Sequence, residues 1–311
     1  MVKIGIVGAG NVGASLAYAL IQEQGLKEIV IYDLFSQIAE GKTLDLMQAS
    51  VAAQSSTELL FAKDLSQMAG ADLVIITAGV ARKPGMSRQD LLFKNASIIK
   101  DTAIKISYFA PNAYIVVVSN PLDVMTYVAW KASGFSKNRV IGMAGVLDSA
   151  RLAYHLSMMT KEPFSKIKAL VIGEHGPDML PLLRISTVNG KAVQEILSSK
   201  ERDEVIIKTR DSGACIVELL GTSAFYAPAM STKCMVKALL DGSKEIMSAS
   251  VVLDGEYGKT NIACGVPIRL GRDGVEEIIV LELTKEELRL FNKGCENISL
   301  SIEELRKKSI I

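Results

Sequence analysis

Apolar residues in the first half of the chain fall into short, nearly continuous β-branched runs, separated by longer stretches in which they recur every three or four positions. Runs of the first kind suit strands buried on both faces, and the longer period suits helices with one face on a core. The pattern predicts strands over 3–7, 28–32, 58–61, 73–77, 114–119 and 139–141, alternating with helices over 12–23, 36–53, 88–109 and 122–133. Such alternation marks βαβ units, so the fold class is α/β, with a doubly wound parallel sheet of Rossmann type. Pro121, directly after Asn120, suits the first turn of the fourth helix, where no N–H is required.

Beyond about residue 145 the pattern changes. Helical periodicity covers 147–159 and 192–220, whereas 250–280 is interrupted by the turn pairs Asp254-Gly255, Tyr257-Gly258 and Asp273-Gly274, as antiparallel strands would be. Thr284 and Glu287 have the spacing of a capping box, opening a last helix that runs to 308. A parallel half followed by a mixed α+β half predicts two domains, 1–145 and 146–311, with a cleft between them. The apolar helical stretches 36–53 and 216–240 are candidates either for subunit contacts or for core.

Composition narrows the classes of function. With 49% hydrophobic and 22% charged residues the chain can bury a full core, and a net charge of +1 provides no field for gathering nucleic acid or an anionic membrane. Cys215, Cys234, Cys264 and Cys295 form no C-x-x-C pair and have no histidine at zinc-ligand spacing, which reads as reduced thiols of a cytoplasmic protein with no metal. No stretch reaches the roughly 18 uninterrupted apolar residues of a membrane span. The apolar opening that resembles a signal peptide is interrupted by Gly8, Gly10, Asn11 and Gly13.

Those interruptions are a motif. Gly8-Ala9-Gly10-Asn11-Val12-Gly13 lies between the first predicted strand and helix, where the first glycine permits the tight turn, the second admits a pyrophosphate and the third allows close helix–strand packing. The helix N-terminus adds unpaired N–H groups and positive dipole. Asp33 ends the second strand, placed to accept both hydroxyls of a ribose and to repel a 2′-phosphate, so the expected cofactor is NAD rather than NADP.

Only two histidines are available as a general base. His155 lies within a predicted helix, where packing explains it. His175 lies in the loop Gly173-Glu174-His175-Gly176-Pro177, whose glycines free the backbone to present a side chain to a cleft. Asp148 and Arg151, three apart, share a helix face as an internal ion pair or as the partners of a histidine and a carboxylate. The segment 78–88 leaves the carboxyl end of the fourth strand, the edge that faces the ligand crevice, and carries Arg82 and Arg88 about Pro84-Gly85, as an ordinary basic loop or a lid over about 80–90 would.

In this order, Gly8 to Gly13, Asp33, Ala81 to Arg88, Ser119-Asn120-Pro121, Leu147-Asp148-Ser149-Ala150-Arg151 and Gly173-Glu174-His175-Gly176 resemble the lactate/malate dehydrogenase superfamily over nearly the whole chain. The resemblance implies that His175 is the proton acceptor and Asp148 its partner, that Arg151 clamps the carboxylate beside the reacting carbon, and that Arg88 is a lid residue polarising the substrate oxygen. It implies that Asn120 is shared between nicotinamide and substrate, with backbone contacts from Val118 and Ser119 and a further cofactor contact from Asn95. Lactate dehydrogenases carry a glutamine where this chain has Arg82, and malate dehydrogenases an arginine that pairs with a second carboxylate. The expected substrate is thus a small dicarboxylate, malate or oxaloacetate, with lactate or another 2-hydroxy acid as the alternative and a non-catalytic NAD-binding module as the reading from a different class.

Two further segments, Gly142 to Asp148 and Ser223 to Pro228 with small Ala224, resemble the malate branch, while Gly173 to Gly176 resembles the lactate side and Pro177 departs from both. The mixture resembles malate dehydrogenases built on a lactate-dehydrogenase-like scaffold. The family resemblance also implies a homodimer or homotetramer.

Overall fold

A computed structural model describes residues 2–80 and 87–311. The first half forms β1 (Val2–Val7), α1 (Asn11–Leu20), β2 (Leu26–Tyr32), α2 (Ser36–Ala52), β3 (Glu58–Ala62), β4 (Leu73–Ile76), α3 (Arg88–Phe109), β5 (Tyr114–Val117), α4 (Leu122–Ser133) and β6 (Val140–Gly142). All six strands pair in parallel, in the order β3-β2-β1-β4-β5-β6. That order reverses at β1/β4, and ligands of such sheets bind beyond the carboxyl ends of the strands at the reversal. β4 and most of β5 are buried because helices cover both faces, which is why these strands read as unbroken apolar runs.

The second half begins with α5 (Gly145–Thr160), then short strands β7 (Ile167–Lys168), β8 (Val171–Ile172), β9 (Leu180–Pro181), β10 (Thr187–Val188) and β11 (Lys191–Ala192). It continues with α6 (Val193–Ile196), α7 (Ser199–Leu220), α8 (Tyr226–Asp241), β12 (Glu245–Asp254), β13 (Thr260–Gly271), β14 (Gly274–Ile278) and α9 (Lys285–Lys307). β12 and β13 form a long antiparallel hairpin whose edge joins β6 through Ser250 and Gly142. The main sheet therefore has nine strands and runs from one half of the chain into the other. α8 also packs across α1, and Phe225 and Pro228 of the second half line the same cavity as Gly10, Asn11 and Val12.

Two expected helices are broken. The stretch 192–220 divides into α6 and α7 because Ser198 caps a new helix, its hydroxyl accepting the Glu201 N–H while the Glu201 carboxylate accepts the Ser198 N–H. The stretch 216–240 is interrupted where Gly221, at φ 68°, takes the left-handed conformation that ends α7. The connection 222–225 that follows reaches the ligand cavity. Pro121 stands one residue earlier than expected, as the residue before α4. Thr284 and Glu287 form the expected capping box at the start of α9.

Candidate active site

The glycine turn is shaped by contacts that admit no side chain. Gly8 has φ 113°, and a Cβ on Gly13 would lie 1.9 Å from the Gly8 carbonyl oxygen, so α1 can rest on β1 only if residue 13 is glycine. A Cβ on Gly10 would meet nothing within 4 Å among the described residues, the open space that a cradle for a ligand requires. Among the described residues no side chain caps α1, which leaves its first N–H groups available to phosphate oxygens. Asp33 accepts the Ala9 N–H at 2.6 Å and the Phe35 N–H at 3.0 Å, binding the end of β2 to the turn. Lys42 of α2 donates to the Ala9 carbonyl at 2.8 Å, and the Thr77 hydroxyl donates to that of Gly8 at 3.0 Å. These residues fit a dinucleotide: Gly10, Asn11 and Val12 for the pyrophosphate, Asp33 for the ribose.

Gly10, Asn11 and Val12 also line a cavity of about 500 Å³ that continues past Val118, Ser119 and Asn120 to Arg151 and His175. Of the residues expected from sequence, the structure thus brings Gly10, Asn11, Val12, Val118, Ser119, Asn120, Arg151 and His175 to one space, while Gly8, Ala9, Gly13, Asp33 and Arg88 are not part of its lining. Ala224 and Phe225, from the break between α7 and α8, form part of its wall. Ser119 donates to the Ala78 carbonyl at 2.5 Å, tying the segment after β5 to the one after β4. Asn95 lines the cavity, and its amide joins the same two segments, with Oδ1 accepting the Val80 N–H at 2.9 Å and Nδ2 donating to the Asn120 carbonyl at 2.7 Å. Its bonds in this structure hold the crevice backbone together.

His175 stands at the substrate end. Its Nδ1 lies 2.7 Å from Asp148 Oδ2, and a carboxylate can only accept, so Nδ1 carries the proton and Nε2 is left as the basic nitrogen. The other Asp148 oxygen accepts from Arg151 Nη1 at 3.2 Å. α5 positions both partners one turn apart, on the shared face inferred from their spacing. The Asp148 side chain is 2% exposed and that of His175 14%. Burial is the strongest influence on the imidazole and opposes its ionisation, but the charge and hydrogen bond of Asp148, with the charge of Asp123, outweigh it against Arg151 and hold the His175 pKa above the ordinary value of 6.5.

Arg151 Nε is buried without a hydrogen-bond partner among the described residues. Gly213 of α7 lies beside this guanidinium, where a Cβ would stand 3.6 Å from Nη2, an ordinary packing contact. An unpartnered N–H on a buried cation beside a base is a ready site for a carboxylate. Arg88 is the first residue of α3, exposed and outside the cavity lining, directly after Ser87, whose capping box with Asp90 starts the helix. Arg82 and residues 81–86 of the expected lid lie outside the described residues.

His155, the other histidine, bonds through Nε2 to the Ser212 hydroxyl at 2.8 Å on the α5–α7 contact, in keeping with a packing role. Several partners of the site escaped the sequence reading. Gly265 of β13 exchanges backbone hydrogen bonds with Gly173, at the base of the His175 loop, and locks the loop to the sheet. Asp123, buried in the first turn of α4, accepts the His175 N–H at 2.7 Å and the Ser250 hydroxyl at 2.6 Å. A carboxylate early in a helix is an ordinary complement to the helix dipole, so sequence offered no distinguishing signal.

The geometry agrees with known proteins. Residues 2–142 match the family described as lactate/malate dehydrogenase, NAD binding domain, and residues 145–309 match the lactate/malate dehydrogenase, alpha/beta C-terminal domain. The malate dehydrogenase of Sulfurimonas denitrificans is 45% identical over 306 residues, 98% of this chain and 96% of that protein. Among solved structures, the malate dehydrogenase of Cryptosporidium parvum superposes with a TM-score of 0.94 at 36% identity, covering 98% of this chain and 99% of its own. The lactate dehydrogenase of Eimeria maxima, solved with NADH and oxamate, gives 0.94 at 33% identity over 98% and 94%. An NAD cradle and a His–Asp–Arg constellation on one cavity, in a chain matched almost end to end, establish the affiliation: this chain belongs to the lactate/malate dehydrogenase family.

Proposed function

We propose that the chain is an NAD-dependent malate dehydrogenase, interconverting (S)-malate and oxaloacetate, with His175, Asp148, Arg151, Asn120, Arg88 and Arg82 as its working residues. The observation that carries the site assignment is the buried Nε of Arg151, without a partner among the described residues, on the same cavity wall as His175. NAD, held by Gly8 to Gly13 and Asp33, supplies the hydride acceptor in one direction and NADH the donor in the other. Arg151 binds the carboxylate next to the reacting carbon through two parallel N–H bonds and so orients the substrate. In oxidation, His175 Nε2 takes the hydroxyl proton while Asp148 stabilises the resulting imidazolium; in reduction the imidazolium returns it. Arg88, at the start of α3, stabilises negative charge developing on the substrate oxygen.

Arg82 is the basis for malate over lactate. It matches the position where the resemblance places an arginine for the distal carboxylate, and a monocarboxylate would leave that charge unmatched once water is excluded. Ala224 lines the cavity, and its small side chain is in keeping with the resemblance to the malate branch. The carboxylate of Asp33 favours NAD over NADP. Oxaloacetate and pyruvate, each assayed with NADH and NADPH, test the reading together: oxaloacetate with NADH should give the highest kcat/KM, and Arg82→Gln should lower the oxaloacetate-to-pyruvate ratio. A preference for pyruvate would return the chain to the lactate branch, and NADH binding with no turnover on any 2-keto acid would favour the non-catalytic reading.

The enzyme is a homodimer or homotetramer on this reading, supported by the exposed apolar side chains Leu44 and Val51 of α2 and Val217, Leu219 and Leu220 of α7. Light scattering on the eluting protein checks it; a monomer at assay concentration contradicts it. No helix among the described residues is long and apolar enough to cross a membrane. Four cysteines without a disulfide among them favour the cytoplasm.

A further inference from the structure

Asp123 is a carboxyl group in a place where a carboxyl is costly. It is 3% exposed, and a buried ionisable group persists only where neighbours satisfy it. Its neighbours engage both oxygens: Oδ2 accepts the backbone N–H of His175 at 2.7 Å, Oδ1 accepts the Ser250 hydroxyl at 2.6 Å, and the first turn of α4 adds positive dipole. Ser250 is itself fully buried and belongs to the strand that joins the two halves of the sheet. A chain of two hydrogen bonds thus runs from β12 through α4 to the main chain of the catalytic loop, separate from the Asp148 bond to the ring. Packing and hydrogen bonding alone would not require a charge here, since the isosteric asparagine could accept from the His175 N–H and bond Ser250 without burying an ionised group.

We propose that Asp123 is a positioning residue of the proton relay: its carboxylate anchors the His175 backbone and supplies a second negative charge, beside that of Asp148, that favours the imidazolium. The inference rests on the reading of His175 as the acid–base group. The groups that face the imidazole are Asp148 and Arg151 from α5, Asp123 from α4, Glu174 from the loop itself and, behind Asp123 and Glu174, the buried thiol of Cys264 on β13. Of these, Asp148 and Asp123 both raise the His175 pKa and Arg151 lowers it. The cost falls on Asp123 itself: burial pushes its carboxyl upward, and the bonds from Ser250 and His175 pull it back only in part.

The substitution that isolates the charge is Asp123→Asn, because an amide oxygen still accepts the His175 N–H while the amide nitrogen donates to Ser250 Oγ. With only two histidines in the chain, NMR titration of the imidazoles resolves both, and His155 on α5 serves as an internal reference for the folded state. The His175 midpoint should move to lower pH while that of His155 stays in place. The acid limb of kcat/KM for malate, which requires neutral His175, should move to lower pH with it, and Asp123→Ala should lower kcat further with little change in KM for NAD. An unchanged His175 midpoint in folded Asp123→Asn overturns the proposal, whether or not malate is the substrate. Failure of the malate reading alone would appear as an imidazole shift without malate turnover. Should Asp123→Asn not fold, the His175 amide proton of the unmodified protein decides: it should titrate with a carboxyl midpoint above the ordinary aspartate value of 3.8, and an amide that follows only the imidazole contradicts the proposal.

Discussion

The cofactor cradle and the proton relay occupy one cavity but are built by opposite means. The cradle is mostly main chain, contributed by one six-residue turn whose essential property is missing side chains at Gly8, Gly10 and Gly13. The relay is side chains and comes from four separate places: Asp123 on α4, Asp148 and Arg151 on α5, His175 after β8 and Ser250 on β12. A local main-chain site is bounded by sterics, whereas a dispersed side-chain site depends on charges that must be matched to one another. Damage to the relay should therefore abolish chemistry and spare cofactor binding, while damage to the cradle should do the reverse.

The largest effect is expected at Arg151. Arg151→Ala removes the carboxylate clamp and leaves Asp148 short of one partner, a loss of about 3–5 kcal/mol, or roughly a hundredfold to several thousandfold in kcat/KM for oxaloacetate. NADH affinity, measured by fluorescence titration, should stay within about twofold. Asp148→Asn comes next, at roughly a hundredfold in kcat, because an amide can no longer enforce the proton on Nδ1 or stabilise the imidazolium. An equal loss of NADH binding in either variant would break the division between the two regions.

On the other side, Gly13→Ala should cost about 1–3 kcal/mol of stability and a comparable part of NADH affinity, since the new methyl meets the Gly8 carbonyl. Thermal unfolding with and without NADH separates the two parts. Asp33→Ser should weaken NADH by about tenfold, in line with the loss of a hydrogen bond to a charged group, and narrow the gap to NADPH. The smallest effect is a displacement along the pH axis. With its pKa raised by Asp148 and Asp123, His175 stays protonated above pH 6.5, so the acid limb of malate oxidation should lie above that value. Oxaloacetate reduction, which needs the imidazolium, should decline only as pH rises through the same midpoint.

The contrast also explains what sequence could convey. The spans 88–109 and 122–133 were legible residue for residue because periodicity and flanking signals agree, and the glycine turn was legible because its chemistry is contiguous. The break at Gly221 was missed because the apolar period resumes on its far side, yet that break delivers Ala224 and Phe225 to the cavity. The two-residue strands β7 to β11 owe their existence to partners elsewhere in the chain, so no local preference marks them. Asp148 and His175 could be named as a pair because the resemblance supplies both. Asp123 could not be linked to His175, 52 residues away, since only the fold brings its carboxylate to that amide.

The most direct test is a paired measurement on His175→Asn: NADH binding followed by a single turnover of the bound complex with oxaloacetate. The NADH titration should match that of the unmodified protein, and NADH oxidation should slow by at least about a hundredfold. Near-normal oxidation, or NADH affinity lost in proportion to the rate, would contradict the division of labour between cradle and relay.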